Sequence, residues 1–210
     1  MASSIIHIAV ANEINKVLRR DKTKLLIGSI APDLSKIIGD TKNKSHFLDN
    51  DDNIPNIDMF LKKYSKNLND DFIMGYYIHL YTDYLWFKYF ITEILHNDRI
   101  TKKDGSIVKL NGEMKKLYIY NDYTNLNIQL IEKYNLDLKI FYNDIPKINN
   151  IINEIPMDKL NLLIEKAGVI IENSKEGKNY VFDIFDICKF IDTTVNLILA
   201  KLNEYQKSIN

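Results

Sequence analysis

Seven glycines and four prolines in 210 residues leave this chain few places to break a helix. Its apolar residues mostly recur three and four apart, the spacing of one helix face rather than the alternation of a strand. Ser3 or Ser4 can cap a first helix running to about Arg20, with Ile5, Ile6, Ala9, Val10, Ile14, Val17 and Leu18 on its inner side. His7 shares that side and points inward. A short helix over 24–30 is stopped by Ala31-Pro32, because the residue before proline is pushed out of the helical region. Asp33 then lies on irregular backbone or at a new helix start. The stretch 39–56 is polar and loop-like, with His46-Phe47 in its middle. Helix resumes over 57–68, and Asp70 or Asp71 caps a long helix over 72–96. Asp104-Gly105 between short β-prone runs predicts a small hairpin or excursion near 99–112. Further helices are expected over 113–134, 145–154, 157–173 and 181–205, Pro146 and Pro156 fitting the first turns of two of them. The expected fold is all-α, one multi-helix bundle spanning 1–210 as a single domain.

Bulk properties narrow the function classes. Lys+Arg and Asp+Glu both number 28, so there is no net basic charge to favour a nucleic-acid backbone. Hydrophobic residues at 46% are enough for a globular core rather than a disordered chain. No run approaches the roughly 20 apolar residues of a membrane span. The first residues lack the basic region of a secretion signal. One cysteine, Cys188, excludes an internal disulfide, and in the run FDICKFI it reads as a small buried hydrophobe. The expected location is the cytoplasm.

Chemistry is suggested by four histidines and their neighbours. His79 and Asp83 are spaced i,i+4, which sets imidazole and carboxylate on one face of a helix, one turn apart. His46 comes from a loop that can aim it, and Asp33 follows a proline that fixes its approach. Two imidazoles and two carboxylates are a sufficient donor set for a four-coordinate zinc ion. His7 could serve a second ion, with Asp83 bridging. Each residue also has an ordinary explanation: a hydrogen-bonded core histidine, an i,i+4 pair, a helix cap. The case for a metal rests on their order and context together.

That order resembles the zinc-dependent phospholipase C family, whose all-helical fold is shared with fungal single-strand nucleases. The resemblance lies in His7 on the first helix, the Gly-x-x-x-Pro-Asp run Gly28 to Asp33, the isolated His46-Phe47, and the Gly-Tyr-x-x-His-x-x-x-Asp run Gly75 to Asp83. It covers about the first ninety residues. The segment 120–127 is also similar to one in small clostridial-type members. The resemblance implies that Asp33, His46, His79 and Asp83 bind one zinc, and that His7 helps bind a second with Asp83 bridging. It makes Asp33 a candidate general base. Asp122 is a further candidate ligand or base.

The departures are specific. Secreted family members use a processed N-terminal amine on a metal, whereas this chain begins Met1-Ala2 with no processing signal. They bind a third metal through two more histidines and a glutamate. Here Tyr89 stands six residues after Asp83, with only Glu93 and His96 nearby, His96 reading as a surface residue at a helix end. The expected function is a zinc-dependent phosphoester hydrolase acting on a small phosphoester or lipid head group in a cleft lined by aromatics such as Phe47, Tyr76, Tyr77, Tyr81 and Trp86. The alternatives are a non-catalytic metal-binding protein and a metal-free helical interaction module.

Overall fold

Ser3 accepts the backbone N–H of Ile6 through its hydroxyl and starts helix α1, Ser4–Leu18, which Arg19 closes in the left-handed conformation. Asp21 caps α2, Lys22–Gly28. A 3-10 turn with Pro32 near its start, Ala31–Leu34, leads into α3, Ser35–Ile38. Then come α4, Lys42–Ser45, and α5, Ile57–Tyr64. Asp70 accepts from Phe72 and Ile73 to cap α6, Asp71–Leu85. After α6 the ribbon widens into a π-turn, Trp86–Phe90, and tightens into a 3-10 turn, Ile91–Glu93. The rest comprises α7, Gly112–Met114; a π-turn, Lys115–Tyr120; α8, Asn121–Lys133; α9, Leu160–Glu172; and α10, Ile184–Ile209. This computed structural model describes residues 1–39, 41–49, 53–142, 144–149 and 151–209, without the side chains of 206, 208 and 209. Residues 40 and 50–52 of the expected loop and 150 of the expected helix lie outside that description.

The fold is predominantly helical, as the spacing predicts. Buried apolar residues from α1 to α10 form one contiguous cluster. The excursion near 99–112 is a three-stranded antiparallel meander, β1 (Leu95–His96), β2 (Arg99–Thr101) and β3 (Ile107–Lys109), with Gly105 at φ +80° in the second turn. His96 is therefore an exposed strand residue opposite Arg99, not the end of a helix, so no helix dipole acts on it. Val17 is also corrected: it is 63% exposed rather than part of the inner face of α1.

One expected helix is absent. The described residues of 145–154 form no helix. The segment is rich in isoleucine and asparagine, both weak helix formers, and Pro146 lacks an N–H. Side chains anchor its end at Asn153 instead. Glu154 accepts from Tyr64 Oη and from Lys63, and the Asn153 N–H reaches Tyr64 Oη at 3.3 Å and Glu154 at 3.2 Å. Among the described residues, no helix is long and apolar enough to cross a membrane.

Two glycines set how closely α2 and α6 approach. A Cβ built on Gly28 would lie 2.2 Å from the Phe72 carbonyl oxygen, and one on Gly75 would lie 2.1 Å from the Leu25 carbonyl oxygen. The two helices therefore cross backbone to backbone, at a distance that only glycine permits. His79 is one turn beyond Gly75, and Ser29 directly follows Gly28.

Candidate metal centre

The close crossing brings the Ser29 carbonyl to 2.8 Å from His79 Nδ1. A carbonyl oxygen can only accept, so His79 donates from Nδ1 and its Nε2 carries the lone pair. His46 is fixed in the same sense. It ends α4, and its Nδ1 lies 2.8 Å from Ser45 Oγ, whose own hydroxyl donates to the Lys42 carbonyl at 3.3 Å. Tyr76 Oη donates to the Ser45 carbonyl at 2.5 Å and ties α4 to α6. Phe47 holds the other side. Its φ of +53° is costly for a bulky residue, and its ring is gripped by Phe60, Tyr64 and Tyr76.

The two Nε2 atoms so defined face one another at 3.3 Å. Two lone pairs at that distance repel unless a positive species, a proton or a metal ion, accepts them. The remaining groups converge on the same place. The His7 ring stacks on His79 with centroids 3.8 Å apart. His7 Nε2 is 3.4 Å from Asp83 Oδ1, without hydrogen-bond geometry. Asp83 Oδ2 is 3.7 Å from His79 Nε2 and 3.8 Å from His46 Nε2. Asp33 Oδ1 is 3.6 Å from His46 Nε2. All five residues are at most 1% exposed.

Two overlapping groups have the compactness of a cation site: His7, His79 and Asp83, and Asp33, His46 and His79. Both ring nitrogens of His7, Asp33 Oδ1 and Asp83 Oδ2 are buried with no hydrogen-bond partner. Buried polar atoms are nearly always satisfied, so an unpaired His7 nitrogen beside unpaired oxygens of Asp33 and Asp83 is the pattern expected of a ligand set. Imidazole nitrogen with carboxylate oxygen suits zinc and also iron, nickel or manganese.

The electrostatics agree with donor groups held ready. Burial pushes the Asp33 carboxyl up, but Lys36, His46 and the other two imidazoles outweigh it and hold the group well below its usual range. Burial likewise raises Asp83, and His7, the chain's amine and His79 more than reverse this. Burial drives His79 well below the usual imidazole value. The start of the chain sits against the centre: the Ala2 N–H donates to Asp83 Oδ1 at 3.0 Å, and burial lowers the Met1 amine to about 5.

The structure thus brings together His7, Asp33, His46, His79 and Asp83, and leaves Asp122 out of both groups. Asp122 is buried, but its oxygens accept the backbone N–H groups of Tyr180, Val181 and Phe182 at 2.6–3.0 Å, with Asn121 Nδ2 at 3.2 Å. With its lone pairs so committed it clamps the approach to α10 and has little capacity to act as ligand or base. Asp122→Ala should cost about 3 kcal/mol by orphaning those N–H groups while leaving metal content intact. Denaturant titration with elemental analysis checks this, and metal loss without destabilisation would restore Asp122 to the site.

Glu93 and His96 are exposed and add nothing to the groups. The aromatics expected to line a cleft go elsewhere. Phe47, Tyr76 and Trp86 are core, while Tyr77 and Tyr81 border a groove of about 660 Å³ between α5, α6 and the end of α10 that contains none of the five residues. Sequence reasoning missed the Ser29 carbonyl, Ser45 and Lys36. The first is backbone and carries no sequence signal. Lys36 stands three residues after Asp33, a spacing that could have been noticed.

No family profile, curated protein or solved structure matches this chain.

Proposed function

We propose that this protein binds one or two divalent metal ions, with zinc well suited to the donors, and uses the centre to hydrolyse a small phosphoester. The observation that carries the metal reading is the lone-pair contact of His46 and His79 at 3.3 Å, surrounded by orphaned atoms of His7, Asp33 and Asp83. His79 has one free lone pair, so it would serve a single ion, together with Asp33, His46 and Asp83, while His7 with Asp83 could hold a second. A bound ion supplies Lewis acidity toward water and phosphoryl oxygen. The order of these residues, resembling zinc-dependent phospholipase C enzymes, supports the hydrolytic reading.

Within it, Asp33 serves better as a ligand than as a base. Lys36 holds Asp33 Oδ2 at 2.7 Å and keeps the carboxylate weakly basic, while Oδ1 faces the centre. A second reading, metal binding without turnover, is favoured by one observation: the ligand side chains are buried throughout, whereas catalytic zinc keeps an open position.

Untagged protein should contain about one or two equivalents of a divalent metal by elemental analysis, with an anomalous signal at the matching edge. Metal-loaded protein should release nitrophenol from a chromogenic phosphoester and lose this on chelation. Metal without turnover across monoesters and diesters selects the second reading. Protein devoid of metal, and unable to take it up, sinks both.

A further inference from the structure

Two lysines stand one turn from two of the proposed ligands. Lys36 follows Asp33 by three residues, and Lys42 precedes His46 by four. Their helices, α3 and α4, pack on one another and on the turn that carries Asp33. Lys36 is 40% exposed along its side chain, yet its amine reaches the buried Asp33 Oδ2 at 2.7 Å, so it links the centre to solvent. Lys42 is half-buried, with its amine bound to Asn53 Oδ1 and 5.9 Å from the centroid of the Phe87 ring. Burial lowers its basicity. It also feels the charges of Asp83 and Asp33 on one side and of Lys36 and Lys115 on the other. Each ammonium has three N–H donors. Asp33 uses one on Lys36, and Asn53 uses one on Lys42.

The charges point to what belongs there. Neutral imidazoles, two carboxylates and one divalent ion sum to zero, and the two lysines then leave the region at plus two. Without the ion the same sum is zero. The rim therefore attracts an anion only when metal is present, and a dianion matches it.

We propose that Lys36 and Lys42 form an anion subsite beside the metal centre that takes the terminal oxygens of a phosphomonoester. This rests on the metal reading above and narrows its substrate class. A monoester dianion has three terminal oxygens, one for the metal side and two for the amines. A diester has two and a single charge.

The test is calorimetric titration of inorganic phosphate into metal-loaded protein, with metal content measured in the same samples. Phosphate should bind the loaded protein and not the metal-free protein. Lys36→Met and Lys42→Met should each weaken binding about tenfold or more, the loss expected for a charge-assisted hydrogen bond. Metal content should not change in Lys42→Met. Lys42→Met removes no contact to a metal ligand and decides the matter if Lys36→Met disturbs Asp33. Lys42→Arg should recover part of the affinity. Phenyl phosphate should compete, and diethyl phosphate should compete at least about tenfold less well because it offers fewer charge-assisted contacts. Competition by phosphatidic acid vesicles as well as phenyl phosphate assigns the monoester to a lipid, and competition by phenyl phosphate alone assigns it to a soluble ester. Loaded protein that ignores phosphate, or binds it equally in the Lys42→Met variant, overturns the subsite while leaving the metal centre standing. Equal binding of the diester overturns the monoester class. A chain that takes no metal overturns both readings.

Discussion

His79→Ala should strip the centre of metal and lower the melting temperature by about 10 °C. His79 belongs to both ligand groups, so no coordination scheme drawn from them survives its loss. A metal held at a thousand times its dissociation constant contributes about 4 kcal/mol to the folded state, and for a chain of this size each kcal/mol shifts the midpoint by about 2–4 °C. Truncation also orphans the Ser29 carbonyl and removes the ring on which His7 stacks. The informative control is chelation. Metal-free parent protein should fall most of the way toward the variant, because both would lack the proposed ion. A variant that keeps full metal content and melts with the parent would contradict the centre altogether.

Gly75→Ala should destabilise the protein by more than about 4 kcal/mol, a size reserved for a few mechanisms, of which steric overpacking is one. The added Cβ would meet three backbone atoms, the Leu25 carbonyl oxygen at 2.1 Å, the Ser29 nitrogen at 2.8 Å and the Gly28 carbonyl carbon at 3.0 Å. Backbone cannot rotate aside as a side chain can, so α2 and α6 must separate. That separation pulls the Ser29 carbonyl away from His79 Nδ1, so metal affinity should fall together with stability. Gly112→Ala is the matched control, since a Cβ there meets nothing within 4 Å. Its effect should stay within about 0.5 kcal/mol. Guanidinium titrations of both variants make the comparison. A Gly75→Ala protein within about 1 kcal/mol of the parent would mean the helices do not cross as closely as described.

Helix over most of the chain was legible because helical periodicity is local. It failed at 145–154, where the described residues form no helix and Tyr64 and Glu154 take the Asn153 N–H. It overran at His96, where the ribbon changes its hydrogen-bond register after Leu85 and then pairs as a strand. The inward direction of His7 could be read from its place among apolar residues. Asp122 shows the opposite case: a buried acid near a suggestive segment whose partners are backbone groups some sixty residues away.

Residue type and local spacing determined which polar groups this chain carries on its helices, the absence of a basic surplus, and the i,i+4 pairing of His79 with Asp83. Only the tertiary structure decided that residues 7, 33, 46 and 79 meet, which nitrogens carry their lone pairs, and that Asp122 serves the backbone. The reason is that convergence depends on how closely two helices cross. That distance is set by missing side chains at Gly28 and Gly75, and two absent methyl groups leave no periodic signal in a sequence.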